Sequence, residues 1–205
     1  METEFIYWHH KLPRGIEVIE VCGGEDRSGR LWRLMAEQLI AENSDDGERS
    51  ISHYSSGAPF LEGENRRVSL THTEHFLALA MRPATPDPIG ASPVCGEMLG
   101  IDAERLDRQQ VLRIRERFLS REELEMIPAD DLGANILAWT IKEAVYKAML
   151  TPGLDFRREI AIIQLPDMKS HARGTARALP KEGPACQFDL FSWESEGHCL
   201  TVAFG

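Results

Sequence analysis

The chain has few cysteines and no long apolar segment, and both absences limit what it can be. Its four cysteines, Cys22, Cys95, Cys186 and Cys199, form no Cys-x-x-Cys pair, so the sequence predicts neither a zinc cluster nor a disulfide framework. No apolar run approaches the roughly 20 residues needed to cross a bilayer. Residues 1–5 lack the basic and apolar regions of a secretory signal. We therefore expect a cytoplasmic protein with reduced thiols.

Positive charge is also scarce. The formal net charge of −10 argues against a general nucleic-acid-binding protein, which would carry a basic surplus. The arginines are nevertheless concentrated, because six of them fall within residues 105–121: Arg105, Arg108, Arg113, Arg115, Arg117 and Arg121. This cluster predicts a local basic surface on an otherwise acidic protein.

The length of 205 residues suits one large domain or two compact halves. Between residues 82 and 96 lie four prolines, which cannot serve an internal strand or helix. We place a boundary at the end of this segment. The prediction is an N-terminal half, residues 1–97, and a C-terminal half, residues 98–205.

Hydrophobic periodicity predicts both helices and strands. In the N-terminal half, strands are predicted at residues 16–21, 68–70 and 76–81, and a surface helix at residues 30–40. In the C-terminal half, strands are predicted at residues 98–101, 160–163, 186–191 and 200–204, with a helix around residues 111–118. Ser120 has the spacing of a capping box, and Asp130 or Asp131 can cap a long helix through residues 139–147.

Two short segments carry the chemistry. In the long helix, Glu143 and Lys147 are one turn apart and share a face. After the strand at residues 98–101, Asp102 and Glu104 are two residues apart and point to one side. Three carboxylates with Lys142 and Lys147 nearby form the inventory expected for holding Mg²⁺ against a pyrophosphate. Alone, however, a Glu/Lys pair on a helix is most often a solvated ion pair.

These motifs resemble the signature of the 4′-phosphopantetheinyl transferases. That signature is Gly-Ile-Asp-x-Glu, here from Gly100 to Glu104, followed by Trp-x-x-Lys-Glu-Ala-x-x-Lys, here from Trp139 to Lys147. Three further segments are similar to the family in the expected order: residues 57–61 (Gly-Ala-Pro-Phe-Leu), residues 68–73 (Val-Ser-Leu-Thr-His-Thr), and residues 117–120 with the glutamates that follow.

The resemblance implies a fold and a reaction. Longer family members fold as a pseudo-dimer of two similar α+β halves, and this chain matches them in length. The implied reaction transfers the phosphopantetheine arm of coenzyme A to a serine of an acyl or peptidyl carrier protein and releases 3′,5′-ADP. The N-terminal half would bind the 3′-phosphate side of coenzyme A, and the C-terminal half would hold the metal and pyrophosphate.

The resemblance also implies roles for individual residues. Asp102, Glu104 and Glu143 would bind Mg²⁺, although oxygen ligands suit Mn²⁺ as well. Glu143, or a water that it orients, would accept the serine proton. Lys147, with Lys142 from the neighbouring face, would neutralise phosphate charge.

The remaining nucleotide contacts are expected in the N-terminal half. His72 would contact the 3′-phosphate, Thr71 would keep a hydroxyl or backbone role beside it, and Arg33 would reach the nucleotide end of coenzyme A.

One departure from the family pattern supports an alternative. Ala58 stands where the family often has a lysine, so one expected cation for the 3′-phosphate is missing unless Arg66 or Arg67 replaces it. The chain could therefore be a catalytically weakened coenzyme A-binding relative. A second alternative is an acidic interaction domain in which the Glu143/Lys147 pair is structural.

The arginine cluster allows two interpretations. Arg113, Arg117 and Arg121 are spaced four apart and could dock the acidic helix of a carrier protein, or they could form a solvated helix face. We expect a monomer. The sequence leaves open whether the carrier serves fatty-acid, polyketide or peptide synthesis, and whether acylated coenzyme A is accepted.

Overall fold

The structure, a computed structural model, describes residues 5–23, 29–42, 51–53, 59–61, 66–83, 97–170 and 172–205. The chain separates into two compact units, Met1–Ser92 and Pro93–Gly205. Each unit contains helix and antiparallel sheet, which confirms the predicted α+β class. Within these described ranges, no helix combines the length and apolar character needed to span a membrane. The pseudo-dimer and the separate roles of residues 1–97 and 98–205 stay predictions.

The first unit contains a four-stranded antiparallel sheet and one long helix. Its elements are β1 (Ile6–Leu12), a short turn of 3₁₀ helix (Pro13–Gly15), β2 (Ile16–Cys22), α1 (Gly29–Glu42), β3 (Ile51–His53), β4 (Pro59–Leu61), β5 (Arg66–His72) and β6 (Phe76–Pro83). The strand order is β1-β2-β6-β5, and β3 pairs with β4 separately. The helix and three strands predicted for this half are thereby confirmed, whereas β1, β3 and β4 are additional strands.

The core of the first unit explains why these segments form these elements. Trp32, Ala36 and Ile40 recur every fourth residue and therefore form one buried face of α1. They belong to the same apolar cluster as Ile19 of β2 and Leu79 of β6, which are paired across the sheet. The helix therefore packs on one face of the sheet.

The second unit contains a five-stranded antiparallel sheet and the longest helix. Its elements are β7 (Leu99–Arg105), α2 (Gln110–Phe118), α3 (Arg121–Met126), α4 (Leu132–Met149), α5 (Phe156–Glu159), β8 (Ile160–Gln164), β9 (Gly174–Ala178), β10 (Cys186–Ser195) and β11 (His198–Phe204). The strand order is β7-β11-β10-β9-β8. The predicted helices and strands of this half are all present, and α5 and β9 are added to them.

The two predicted helix caps are also present. Ser120 and Glu123 form a complete capping box at the start of α3. Of the two candidates for α4, Asp131 is the cap, because its side chain accepts a hydrogen bond from the amide of Ala134 at 2.9 Å. These local signals fix where α3 and α4 begin.

One boundary differs from its prediction. The strand predicted to end at Ile101 continues as β7 to Arg105, so Asp102 and Glu104 lie inside a strand. They are paired with Thr201 and Cys199 of β11, and only 7% and 8% of their surfaces are exposed. The carboxylates are therefore part of a strand largely covered from solvent.

Candidate active site

The two carboxylates of β7 face the helix that carries the second motif. Asp102 and Glu104 alternate with Ala103 and therefore share one face of the sheet. Thr201, the cross-strand partner of Asp102, lies 2.8 Å from the hydroxyl of Thr140 in α4. Because directly opposed residues point to the same face, Asp102 and Glu104 are on the α4 side of the sheet.

Gly100 permits the close approach of α4 to β7. A Cβ atom at this position would overlap the carbonyl oxygen of Ala144 and lie 2.7 Å from the amide nitrogen of Ala148. Any side chain larger than hydrogen would push the helix away from the strand. The glycine of the first motif thus sets the distance to the second motif.

Lys147 connects the two motifs directly. Its ammonium lies 2.7 Å from Oδ1 of Asp102 and 3.0 Å from the carbonyl oxygen of Ile101. The side chain of Lys147 is partly exposed, whereas that of Asp102 is nearly covered. The cation therefore stands at the solvent side of a buried carboxylate.

Glu104 has two hydrogen-bond donors from the residues that follow it. Oε1 accepts the backbone amide of Arg105 at 3.0 Å, and Oε2 accepts a hydrogen bond from Nη1 of Arg108. Arg108 is a site residue that the motif-based prediction did not include. The sequence carried no clear signal for it, because a spacing of four residues brings side chains together on a helix, whereas Glu104 lies in β7 and Arg108 in the turn that follows.

The surroundings of Glu143 alter the proton affinity of its carboxyl group. Burial and the negative charge of Asp102 raise the pKa of Glu143 to about 6, while Lys147 and Arg108 oppose the increase. The effect of Asp102 indicates that charges from β7 and α4 act on one another. A carboxyl group with a pKa close to neutrality suits proton transfer.

The thiol nearest these carboxylates is not part of the chemistry. Cys199 is buried opposite Glu104, and burial raises the pKa of its thiol to about 12. It therefore stays protonated at neutral pH. Among the residues that the structure describes, Cys22, Cys186 and Cys199 are in the thiol form; Cys95 lies outside those residues.

This arrangement lies within a segment shared with known proteins. Residues 98–203, just over half of the chain, match the model of the 4′-phosphopantetheinyl transferase superfamily. The chain belongs to this superfamily. At the family level it is a transferase of the phosphopantetheinyl type. No match was found among curated proteins.

The superfamily resemblance suggested a phosphate contact for Lys142, and the structure corrects this expectation. Lys142 is completely buried, and its ammonium donates to both carboxylate oxygens of Glu123 at 2.7 and 2.8 Å. The carbonyl oxygens of Phe156, at 2.9 Å, and Ile160 complete its contacts. An ammonium enclosed in this way is not available to a phosphate.

Members of the superfamily typically use a divalent cation, for which the carboxylates of Asp102, Glu104 and Glu143 are the candidate ligands. Among the described residues, no group of three or more His, Cys, Asp or Glu side chains is arranged to hold a metal ion. Asp102 and Glu104 are instead paired with Lys147 and Arg108. The donor chemistry nevertheless fits a hard cation, because carboxylate oxygens are its preferred ligands and Asp102 already disfavours the charge on Glu143.

The three nucleotide-contact residues predicted for the first unit have different surroundings. His72 is exposed at the end of β5, and the adjacent Thr71 is buried on the opposite face of the sheet. Arg33 is exposed on α1, where its guanidinium bonds Glu37 and the carbonyl of Ile51, each at 3.2 Å. Their contacts with coenzyme A stay predictions. Ala58 and residues 84–96 of the proline-rich segment lie outside the described residues.

The α2 region combines a packed aromatic cluster with exposed arginines. Trp139 of α4 packs against Phe118 and Phe156, with ring centroids 5.0 and 5.9 Å away. The three arginines of the proposed docking face are exposed: Arg113, Arg117 and Arg121. Arg115, by contrast, is held inside the unit by Asn135 and the carbonyl of Ile127.

Proposed function

We propose that this protein transfers the 4′-phosphopantetheine arm of coenzyme A to a serine of an acyl or peptidyl carrier protein, with release of 3′,5′-ADP. The observation that carries the proposal is the contact between Lys147 and Asp102, which joins the two superfamily motifs. Glu143 lies one turn before Lys147 on the same helix. A carboxyl group and a phosphate-binding cation are thereby brought to one place.

The reaction forms a bond between the serine oxygen and the β-phosphorus of coenzyme A and breaks the bond from that phosphorus to the departing 3′,5′-ADP. Glu143, or a water that it orients, accepts the serine proton. With a pKa of about 6, this carboxyl group is mostly ionised at neutral pH and can act as the base. Its proximity to the nucleophile would replace the need for a base from solution.

Charge on the pyrophosphate requires compensation. Asp102, Glu104 and Glu143 would hold Mg²⁺, which when bound supplies positive charge to the phosphate oxygens. Lys147 would neutralise further charge with its ammonium. Lys142 has no part in this proposal, since it is buried against Glu123.

The other end of coenzyme A is assigned to the first unit by resemblance. His72 would contact the 3′-phosphate, Thr71 would support that segment, and Arg33 would reach the nucleotide. A protonated imidazole would strengthen the first of these contacts. Cytoplasmic location and a monomeric state are parts of the same proposal.

We assign carrier docking to the exposed guanidinium groups of Arg113, Arg117 and Arg121. An acidic partner helix would be attracted to these guanidinium groups, of which two lie on α2, while Arg121 begins α3 and pairs with Glu125. Such attraction affects encounter with the carrier and should not affect binding of coenzyme A.

The alternative is a catalytically weakened coenzyme A-binding protein, favoured by Ala58 in place of a lysine. The retention of Asp102, Glu104 and Glu143 argues against it. The two functions are separated by measuring the release of 3′,5′-ADP from coenzyme A in the presence of Mg²⁺, with and without an apo carrier protein. Carrier-dependent release that is lost in Glu143→Gln supports transfer, whereas coenzyme A binding without release supports the alternative.

A further inference from the structure

Both carboxylates of β7 are neutralised from within the protein, each by a different cation. Asp102 is paired with Lys147 and Glu104 with Arg108. The two cations reach the carboxylates from different elements, because Lys147 belongs to α4 and Arg108 to the turn between β7 and α2. The resemblance accounts for Lys147 but assigns no role to Arg108.

The turn after β7 directs Arg108 back toward Glu104. The backbone amide of Arg108 donates a hydrogen bond to the carbonyl of Arg105 at 3.2 Å. The backbone carbonyl of Arg108 accepts a hydrogen bond from the amide of Val111 at 3.2 Å. The side chain of Arg108 is 40% exposed, whereas that of Glu104 is 10% exposed. The guanidinium therefore lies between a nearly covered carboxylate and solvent.

A divalent cation and Arg108 would compete for the same carboxylate. When a carboxylate oxygen of Glu104 accepts a hydrogen bond from the guanidinium of Arg108, less of its lone-pair density is available to bind a metal ion. The guanidinium and the metal ion also repel one another at close range. Binding of the cation at Glu104 would accordingly release the guanidinium.

We propose that Arg108 is an exchangeable counter-ion, which neutralises Glu104 in the absence of a divalent cation and transfers to the phosphate of coenzyme A when the cation displaces it. The inference rests on the proposed function. A guanidinium forms strong charge-assisted bonds with phosphate oxygens, so its release couples cation binding to substrate binding. Arg108 is thus a positioning residue in the free protein and a substrate contact in the complex.

The matched control for this proposal is Arg105. It is three residues from Arg108 and carries the same charge, but strand alternation directs its side chain to the face opposite Glu104. Its guanidinium bonds the exposed Asp107 at 2.9 Å. Arg105→Gln therefore changes the net charge of the region without removing the partner of Glu104.

The test is calorimetric titration of Mg²⁺ into the intact protein, with and without coenzyme A. Without coenzyme A, Arg108→Gln is expected to bind Mg²⁺ about two- to fivefold more tightly than the wild type, the range expected for losing a partly exposed ion pair. The gain in Mg²⁺ affinity that coenzyme A produces should be smaller in this variant. Arg108→Lys should lie between the two, because it keeps the charge but not the guanidinium.

The outcomes distinguish this proposal from the function on which it rests. Equal Mg²⁺ affinities for the wild type and Arg108→Gln, or an equal increase in Arg105→Gln, would overturn the role of Arg108 while leaving the metal site intact. Absence of Mg²⁺ binding by the wild type would overturn both the exchange and the metal part of the proposed function. Circular dichroism of each variant checks that it is folded.

Discussion

Replacement of Lys142 by methionine tests whether this lysine is structural. The side chain of Lys142 is fully buried and that of its partner Glu123 is 3% exposed. Glu123 additionally accepts the amides of Ser120 and Ile162, each at 2.7 Å. The ion pair therefore ties α4 to the start of α3 and to β8. Methionine fills most of the same volume but leaves the carboxylate without its cation.

The expected loss of unfolding free energy follows from these contacts. Breaking a buried ion pair by removing one partner costs about 3–5 kcal/mol. The lower end applies here, because the two backbone amides continue to satisfy Glu123. A loss of about 3 kcal/mol is large against a total stability of about 5–15 kcal/mol. Lys142→Met should therefore lower the urea midpoint strongly.

The assay is urea denaturation followed by far-ultraviolet circular dichroism. Lys169→Met, at an exposed lysine of the same unit, serves as the control and should change stability little. The double variant Lys142→Met with Glu123→Gln should be more stable than the sum of the single changes predicts, since no unpaired charge is then buried. Wild-type stability in Lys142→Met, together with weakened coenzyme A binding, would refute the structural role and restore the phosphate contact.

Three further predictions concern the site and its surface. Gly100→Ala should separate α4 from β7, because the added Cβ overlaps the backbone of α4. Thermal denaturation should show a loss of about 1–3 kcal/mol of stability, and most carrier modification should be lost. Unchanged stability and unchanged carrier modification would contradict the close packing. Binding of Mg²⁺ should weaken as the pH falls through about 6, because Glu143 of the metal-free protein becomes protonated there, and a Mg²⁺ affinity that stays constant across this range would remove Glu143 as a ligand. Arg113→Glu or Arg121→Glu should raise the KM for the carrier severalfold without changing that for coenzyme A; equal effects on both substrates would exclude a docking role.

Local spacing was sufficient to predict much of the candidate site. The separation of two residues between Asp102 and Glu104, and of four between Glu143 and Lys147, determines which side chains share a face. The strand boundary was less accessible to prediction, because two acidic residues at the end of an apolar run usually indicate a strand end. Coverage by α4 is a tertiary effect and keeps these residues within β7.

The helical periodicity of α4 contains a signal for the burial of Lys142. Ala138, Lys142, Val145 and Met149 recur at intervals of three and four residues and are all buried. Lys142 is the single charged member of this stripe, a pattern that predicts burial with a partner. The identity of that partner was not predictable, since Glu123 is 19 residues away and meets Lys142 only through tertiary packing.

Two of the unpredicted strands, β1 and β9, have weak sequence signals for different reasons. β1 contains two histidines and a lysine, and most of its side chains are at least partly exposed, so apolar alternation is poor. β9, with the sequence Gly-Thr-Ala-Arg-Ala, contains glycine and alanine, which have low strand propensity. β1 is stabilised by pairing with β2, and β9 by pairing with β8 and β10, all of which were predicted as strands.

The most direct measurement of the central claim is the intact mass of an apo carrier protein after incubation with this protein, coenzyme A and Mg²⁺. The proposed function predicts a gain equal to one phosphopantetheine arm, absent when the carrier serine is replaced by alanine or when Glu143→Gln is used. An unchanged carrier mass with acyl and peptidyl carriers alike, while the protein binds coenzyme A, would contradict transfer and favour the coenzyme A-binding alternative.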